Sequence, residues 1–291
     1  MFADGQCCVK QDDREVRISI EDLAWPVIDT PQATLASALM AACMEAGVAI
    51  VLATRHTPSG LVLPFHRHHR QSVIARLQAD AKDSLKKRLR QEMVRRKILN
   101  QSAVLVAVGS DGAATLKEIA RHVEPRDPDN VEARAARFYW SRLFTEFTRD
   151  DPADRRNKLL NYGYAVVRAG VARALVAAGL VPALGIGHQG ASNPFNLADA
   201  DDVLEPFRPF VDLMAWKMGA NEKDGNLSIE DRRAMAGALL VDARSGEDSV
   251  TLSVAAETAA QSLVRAFEER ESRATPPAAA CTPAPELEPV A

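Results

Sequence analysis

The chain has 291 residues, apolar and charged fractions in the ordinary globular range, and a net charge of −3, so it is long enough to bury a real core in one large domain or two smaller ones. No apolar run approaches the ~18–20 residues of a membrane span. The start, Met1-Phe2-Ala3-Asp4-Gly5, lacks the basic and apolar regions of a secretory signal, so a cytoplasmic protein is expected.

Along the first 65 residues the pattern is that of strands. Segments 6–10 and 15–20 flank Gln11-Asp12-Asp13 as a hairpin, and Val16, Ile18 and Ile20 alternate with Arg17 and Ser19. Further strands are expected at 25–29, 48–53 and 60–65, with a helix over 34–45 stopped at Gly47. From about Gln71 the composition turns to Ala, Leu, Arg and Glu. Helices are expected at 71–80, 84–98, 100–108, 114–121, 130–146, 156–177, 196–218, 228–237 and 253–271. Asn130 and Ser228 are suitable N-caps, and Gly179 is a suitable stop. The fold class expected is α+β with two domains. A small N-terminal β-sandwich-like domain (1–70) precedes a larger all-helical domain (71–272). A Pro/Ala-rich tail (273–291) has little that could pack and is expected to be disordered.

Cysteines Cys7, Cys8, Cys43 and Cys281 are spaced for neither a disulfide framework nor a zinc site. Charge is segregated. From His66 to Lys97 there are Arg67, Arg70, Arg76, Lys82, Lys86, Lys87, Arg88, Arg90, Arg95, Arg96 and Lys97 against only Asp80, Asp83 and Glu92, while acids gather at 199–205. A basic stripe cancels phosphate charge and carboxylates hold metal, a combination that suits a nuclease-like enzyme. A solvated helix face explains the stripe equally well.

Gly185-Ile186-Gly187-His188-Gln189-Gly190 spells a dinucleotide fingerprint, but Asn193-Pro194-Phe195 follows it and helix precedes it. The glycines are better read as turning the backbone to present His188. Asp224-Gly225-Asn226 resembles a calcium loop only until Ala220 falls on the first ligand position. His66-Arg67-His68-His69-Arg70 reads as a solvated linker between domains, with a secondary DNA contact as the alternative. Three residues have plain explanations when taken singly: Glu132 as a first-turn acid, His188 as a hydrogen-bonded core histidine, and Glu205 as a partner of Arg208.

Taken together, the segments carry more. Glu132 lies in E-x-x-A-A-R-x-Y-W, residues 157–164 read N-x-L-L-N-Y-G-Y, 193–199 read N-P-F-N-L-A-D, and 205–209 read E-P-F-R-P. From about Arg14 to Arg270 the chain resembles the CRISPR-associated integrase that inserts new spacers (the Cas one family), most closely its type II branch. The resemblance implies a β-sandwich-like N-terminal domain and a helical C-terminal one. It also implies a homodimer held partly through the β domains, and two such dimers flanking a small dimeric partner, Cas two. Further partners implied are protospacer and repeat double-stranded DNA and an RNA-guided effector nuclease. The implied metal ligands are Glu132, His188 and Glu205, the same residues being catalytic. Asp202, three residues before Glu205 on one helix face, is an alternative third ligand.

Two carboxylates and an imidazole suit Mg²⁺ or Mn²⁺. The nucleophile would be the 3′-hydroxyl of incoming DNA, so no protein nucleophile is required. The expected DNA contacts are Lys86, Lys87, Arg90, Arg95 and Arg96 along the stripe, with Arg134, Arg137, Arg168 and Arg208 near the metal. Two departures from the family pattern stand out: the chain begins later than the usual first strand, and the stretch from His188 to Glu205 is longer. The rival readings are an inactive DNA scaffold of the same fold and a helical metal-dependent nucleotide phosphohydrolase. Enzymes of the second kind usually show tight His-Asp pairs or E-x-x-E repeats on helices, and this chain has no His-Asp pair.

Overall fold

The computed structural model describes residues 2–11, 14–54, 57–64, 68–125, 127–187, 190–199, 202–245, 248–269 and 281–283. Two three-stranded sheets come first. β1 (Phe2–Ala3), β2 (Gln6–Gln11) and β3 (Arg14–Ser19) form an antiparallel sheet in chain order. A short strand therefore does precede the one expected at 6–10. One face of this sheet is buried at Cys7, beside half-buried Ile18, and open to solvent at the Val9–Val16 pair, whose residues are 46% and 55% exposed.

In the second sheet, β4 (Val27–Ile28) runs parallel to β5 (Ile50–Thr54), and β6 (Thr57–Val62) returns antiparallel. A parallel pair needs a crossover, and α1 (Ser37–Glu45) supplies it. Leu39 and Cys43 of α1 pack with Cys7, Ile20, Val48 and Ile50 in a small apolar core.

The rest is helical: α2 (Gln71–Ala79), α3 (Asp83–Ala107), α4 (Ala113–Arg121), α5 (Val131–Leu143), α6 (Arg155–Ala177), α7 (Arg208–Lys217), α8 (Ile229–Ala236) and α9 (Leu252–Glu268). Sixteen of the 23 residues of α6 are buried, so it runs through the core, with Lys158, Asn161, Ala165, Arg168 and Val176 along its one more open side. Asp154 caps α6 by accepting the Arg156 N–H at 2.8 Å. The fully buried Arg156 guanidinium pairs with Asp154 and donates to the carbonyls of Thr145, Glu146 and Ala220 at 2.9, 3.1 and 3.2 Å. Trp25, Val27, Leu61 and Leu63 pack against the helical core, and among the described residues three polar contacts add to this. The Trp25 indole donates to Ala236 O at 3.2 Å, Arg173 Nε donates to Gly47 O at 3.0 Å, and Arg232 pairs with Asp29.

Three expectations are corrected. The helices expected at 84–98 and 100–108 are the single helix α3 (Asp83–Ala107), because nothing between Ile98 and Asn100 breaks it. Segment 196–218 is not one helix. It consists of 3-10 turns at Asn196–Ala198 and Glu205–Phe207, and α7 begins only at Arg208. Asn193 and Asn196 tie the start of this segment to neighbouring loops, and Pro206 and Pro209 lack the N–H groups that a continuous helix would use. A hairpin, β7 (Asp242–Ser245) and β8 (Asp248–Thr251), appears where no strand was expected, and β9 (Cys281–Pro283) pairs with β7. Those three residues lie in the tail expected to be disordered. The free edge of β7 offers unpaired N–H and C=O groups that a passing segment can satisfy. Among the described residues no helix is long and apolar enough to cross a membrane.

Candidate functional site

Glu132 is the second residue of α5, and its position is set by Asp127. The Asp127 carboxylate accepts the N–H groups of Val131 at 2.7 Å and Glu132 at 3.0 Å, satisfying two donors that a helix start leaves open. Asn130, the expected cap, instead adopts φ 52 and makes no side-chain cap bond.

Opposite Glu132 stands α3. At about 100° per residue, Lys86, Arg90 and Lys97 lie within about 40° of one another on its surface, and Arg95 lies on the far side. Lys97 Nζ is 2.8 Å from Glu132 Oε1 and also pairs with Glu205 Oε2. Arg90 Nη2 is 3.9 Å from Glu132 Oε2. One turn beyond Lys97, the Asn100 amide donates to Pro206 O at 2.7 Å, which pins the Glu205-Pro206-Phe207 turn to α3. Arg208 donates from Nη1 to Glu205 Oε1 at 3.0 Å. Glu205 is 1% exposed, while Lys97 and Glu132 are each 13% exposed.

Burial alone would push the Glu205 carboxyl upward. Lys97 and Arg208 outweigh that and bring it to about 2. For Lys97, burial favours the neutral amine, but Glu205 and Glu132 together raise its pKa above the ordinary value. Both groups are therefore charged near neutral pH.

Glu205 and the loop of His188 meet through Asp202. Its carboxylate, fully buried, accepts the Ile186 N–H at 2.9 Å on one oxygen and the Gly187 N–H at 2.7 Å on the other. Asp202 thus fixes the two residues immediately before His188, which itself lies outside the described residues. It belongs to no helix, so the expected shared helix face with Glu205 does not exist. Gly187 keeps an ordinary φ. A Cβ there would come within 2.7 Å of Arg90 Cδ and 3.1 Å of an Asp202 oxygen, so a larger residue would have to displace the Arg90 side chain.

Other residues secure the same loop. Gln78 donates to Val181 O and Leu184 O at 3.0 and 2.7 Å and accepts from Val181 N–H at 2.9 Å. Asn196 donates to Ala183 O and Gly190 O at 3.1 and 3.0 Å. The N-P-F-N-L-A-D stretch therefore ties backbone to backbone.

Behind Glu205 runs a buried polar chain. Arg208 stacks over the Tyr164 ring at 4.3 Å, and the Tyr164 and Tyr139 hydroxyls donate to the two oxygens of Asp212, the Tyr139 bond measuring 3.0 Å. Burial raises the Asp212 carboxyl to about 6, against the opposing pull of the Tyr164 hydrogen bond and the Arg208 charge.

The expected DNA contacts divide. Lys86 and Arg90 share the site-facing side of α3. Lys87 pairs with Asp83 at 2.9 Å, and Arg95 and Arg96 pair with Glu92 at 3.4 and 2.5 Å. Arg134 and Arg137 are exposed on α5. Arg168 lies 3.5 Å from Asp199 and 5.9 Å from the centre of the Phe195 ring. Sequence reasoning missed Lys97, Asn100, Asp127 and Gln78 as builders of the site. The helical spacing of Arg90, Lys97 and Asn100 was the signal that could have found the first two.

Two carboxylates that already share one cation, with no cysteine among the residues that build the site, form an oxygen-rich donor set. Mg²⁺ and Mn²⁺ prefer such a set. Among the described residues no three acids, histidines or cysteines cluster as a metal-binding group.

Residues 2–242 match the family described as CRISPR associated protein Cas1. The chain is 41% identical over 211 residues to the CRISPR-associated endonuclease Cas1 of Neisseria meningitidis serogroup C, covering 72% of this chain and 68% of that protein. It is 27% identical over 225 residues to a CRISPR-associated endonuclease Cas1 of Saccharolobus solfataricus, covering 71% and 67%. Among solved structures, a casposase bound to its integration product superposes with a TM-score of 0.76 at 17% identity, covering 94% of this chain and 89% of that one. A Cas1 protein from Thermotoga maritima gives 0.74 at 16% identity, covering 92% and 94%. At such identities the two superpositions speak for the fold.

Proposed function

This chain belongs to the Cas1 family of CRISPR-associated proteins, and on that premise we propose that it is a metal-dependent DNA endonuclease and integrase of CRISPR spacer acquisition. The observation that carries this reading is the convergence of Glu132 and Glu205, from separate elements, on a single point beside the Asp202-held loop of His188. Glu132, His188 and Glu205 are the proposed ligands and catalytic residues. Asp202 suits the role of positioning residue better than that of third ligand, since both its oxygens already hold backbone N–H groups.

A bound Mg²⁺ or Mn²⁺ would supply charge to the phosphoryl oxygens during an in-line displacement. The chain's own residues do the rest. Arg208 holds Glu205 in one orientation from the side of Oε1, and Asn100 fixes the turn that carries it. Lys86, Arg90, Arg134 and Arg137 offer cations around the site for backbone phosphates, which position DNA without reading its sequence. Lys87, Arg95, Arg96 and Arg168 would first have to leave their acid partners. The 3′-hydroxyl of the incoming DNA forms the new P–O bond as the repeat strand's P–O bond breaks, so no protein nucleophile takes part.

The proposed partners are protospacer and repeat double-stranded DNA, a second copy of the chain, the small Cas two protein and an RNA-guided effector nuclease, all in the cytoplasm. The Val9–Val16 pair, apolar and open on the first sheet, suits the copy-to-copy contact. A solved Cas6-RT-Cas1–Cas2 complex matches this fold with a TM-score of 0.73 at 21% identity, covering 95% of this chain and 34% of that one.

The test is integration of a short duplex with free 3′-hydroxyls into a supercoiled plasmid carrying the repeat, with the small partner and either metal. Joining by the wild type, with binding but no joining by Glu132→Ala and His188→Ala, supports the reading. A wild type that binds DNA but joins nothing in either metal returns it to a scaffold.

A further inference from the structure

Two carboxylates in one poorly solvated place repel each other and need a cation between them. Here that cation comes from the chain itself. Lys97 reaches in from α3, and its ammonium contacts Glu132 Oε1 at 2.8 Å and Glu205 Oε2. The other two oxygens face different groups: Glu205 Oε1 accepts from Arg208 at 3.0 Å, and Glu132 Oε2 faces Arg90 at 3.9 Å. The pair of oxygens that converge is therefore distinct from the pair backed by arginine. Lysine is a compact charge on a flexible four-carbon stem and can withdraw, whereas Arg208 stacks on Tyr164 and is held.

We infer that Lys97 is a positioning residue of the metal centre, whose ammonium holds Glu132 Oε1 and Glu205 Oε2 in register and competes with the divalent cation for those same two oxygens. The inference rests on the reading of Glu132 and Glu205 as ligands. A divalent cation binds carboxylate oxygen at about 2.0–2.6 Å. It cannot do so at both oxygens while a full positive charge keeps hydrogen-bond contact with each, because the two cations repel across a poorly screened gap. Metal entry therefore exchanges two ammonium–carboxylate contacts for two metal–oxygen contacts and moves the lysine aside, with no bond made or broken elsewhere. Arg208 stays on Glu205 throughout, so Glu205 keeps its orientation while its outer oxygen changes partner.

The experiment is Mn²⁺ binding to the full chain, followed by the electron paramagnetic resonance of the free ion, for wild type, Lys97→Met and Glu132→Gln. Lys97→Met, similar in length and uncharged, is expected to bind Mn²⁺ at least roughly tenfold more tightly than wild type. It is also expected to melt lower than wild type in chelator and to recover with Mn²⁺. A residue that merely packs would lower the melting point without tightening the metal. Unchanged or weaker Mn²⁺ binding by Lys97→Met, with binding still abolished by Glu132→Gln, overturns this inference and leaves the ligand reading standing. Mn²⁺ binding that ignores Glu132→Gln overturns both.

Should Lys97→Met not fold, the wild type alone decides. Acetylation of Lys97, read by mass spectrometry of its peptide, is expected to run several-fold faster with saturating Mn²⁺ than in chelator. An identical rate overturns the inference.

Discussion

The N-terminal sheets close over Cys7, Ile20, Leu39, Cys43, Val48 and Ile50, and among the described residues they bury no charged side chain. The helical region buries Glu92, Asp154, Arg155, Arg156, Asp202, Glu205 and Asp212. An apolar core asks only that its residues be covered, and many sequences meet that demand. A buried charge must meet a partner at a set distance and angle or it is destabilising. The helical region therefore specifies geometry to a fraction of an ångström where the sheets specify only burial, and that is where chemistry can be supported. The sheets keep their distinctive feature, the open Val9–Val16 pair, on the outside.

The largest effect that would break this contrast lies at the site. Glu132→Ala or Glu205→Ala is expected to lower strand transfer by roughly 10³-fold or more while duplex binding persists, measured as joined product against a mobility shift. Next is Arg156→Met, which strands Asp154 and three carbonyls. It is expected to cost about 3–5 kcal/mol in urea unfolding.

Asp212 follows. Its carboxyl is raised to about 6 in the folded protein, so the unfolded chain ionises first as pH rises. Stability should decline from about pH 4 to about pH 6, by about 2–3 kcal/mol in all, and be fully reduced above that. Melting curves of Asp212→Asn across this range should be flatter than wild type. A parallel profile would mean that Asp212 does not titrate there.

Smaller changes sharpen the comparison from the other side. Trp25→Phe removes one hydrogen bond between sheets and helices and should cost about 1 kcal/mol in urea unfolding. Val16→Lys, on an open face, should alter the melting point of the single chain within about 0.5 kcal/mol. It should nevertheless abolish self-association in sedimentation velocity, and a dimer that survives it would place the contact elsewhere.

Much of this organisation can be read from the residues. The alternation around Val16 and Ile20 marked the first sheet, and the helix expected at 156–177 matches α6 (Arg155–Ala177). Glu132 and Glu205 stood out by the motifs around them. What escaped did so for physical reasons. Lys97 is one of eleven basic residues in a run, and composition does not say which of them a helix turns inward. Asn130 stands at the cap position, yet Asp127, three residues earlier, takes the role, as the chain bends through φ 47 and 52 and its carboxylate comes under the helix. Segment 196–218 has helical composition, but Pro206 and Pro209 fit a helix only in its first turn, so they mark the late start at Arg208, and the tertiary bonds of Asp202 and Asn196 hold the residues before it. The β7–β8 hairpin has strands of four residues, too short for a period to show, although Ser245-Gly246 is a turn pair.

α3 runs unbroken for 25 residues, about 38 Å, with Lys86 near one end and Lys97 and Asn100 well along it. Such a rod has no hinge between Lys86, a proposed phosphate contact, and the part that touches both carboxylates. A tug of an ångström at Lys86 is transmitted along the axis and arrives at Glu132 and at the Glu205 turn together. On the proposed reading, the grip on the strand and the alignment of the acids would be one mechanical degree of freedom. A proline placed between Lys86 and Lys97 would divide it into two.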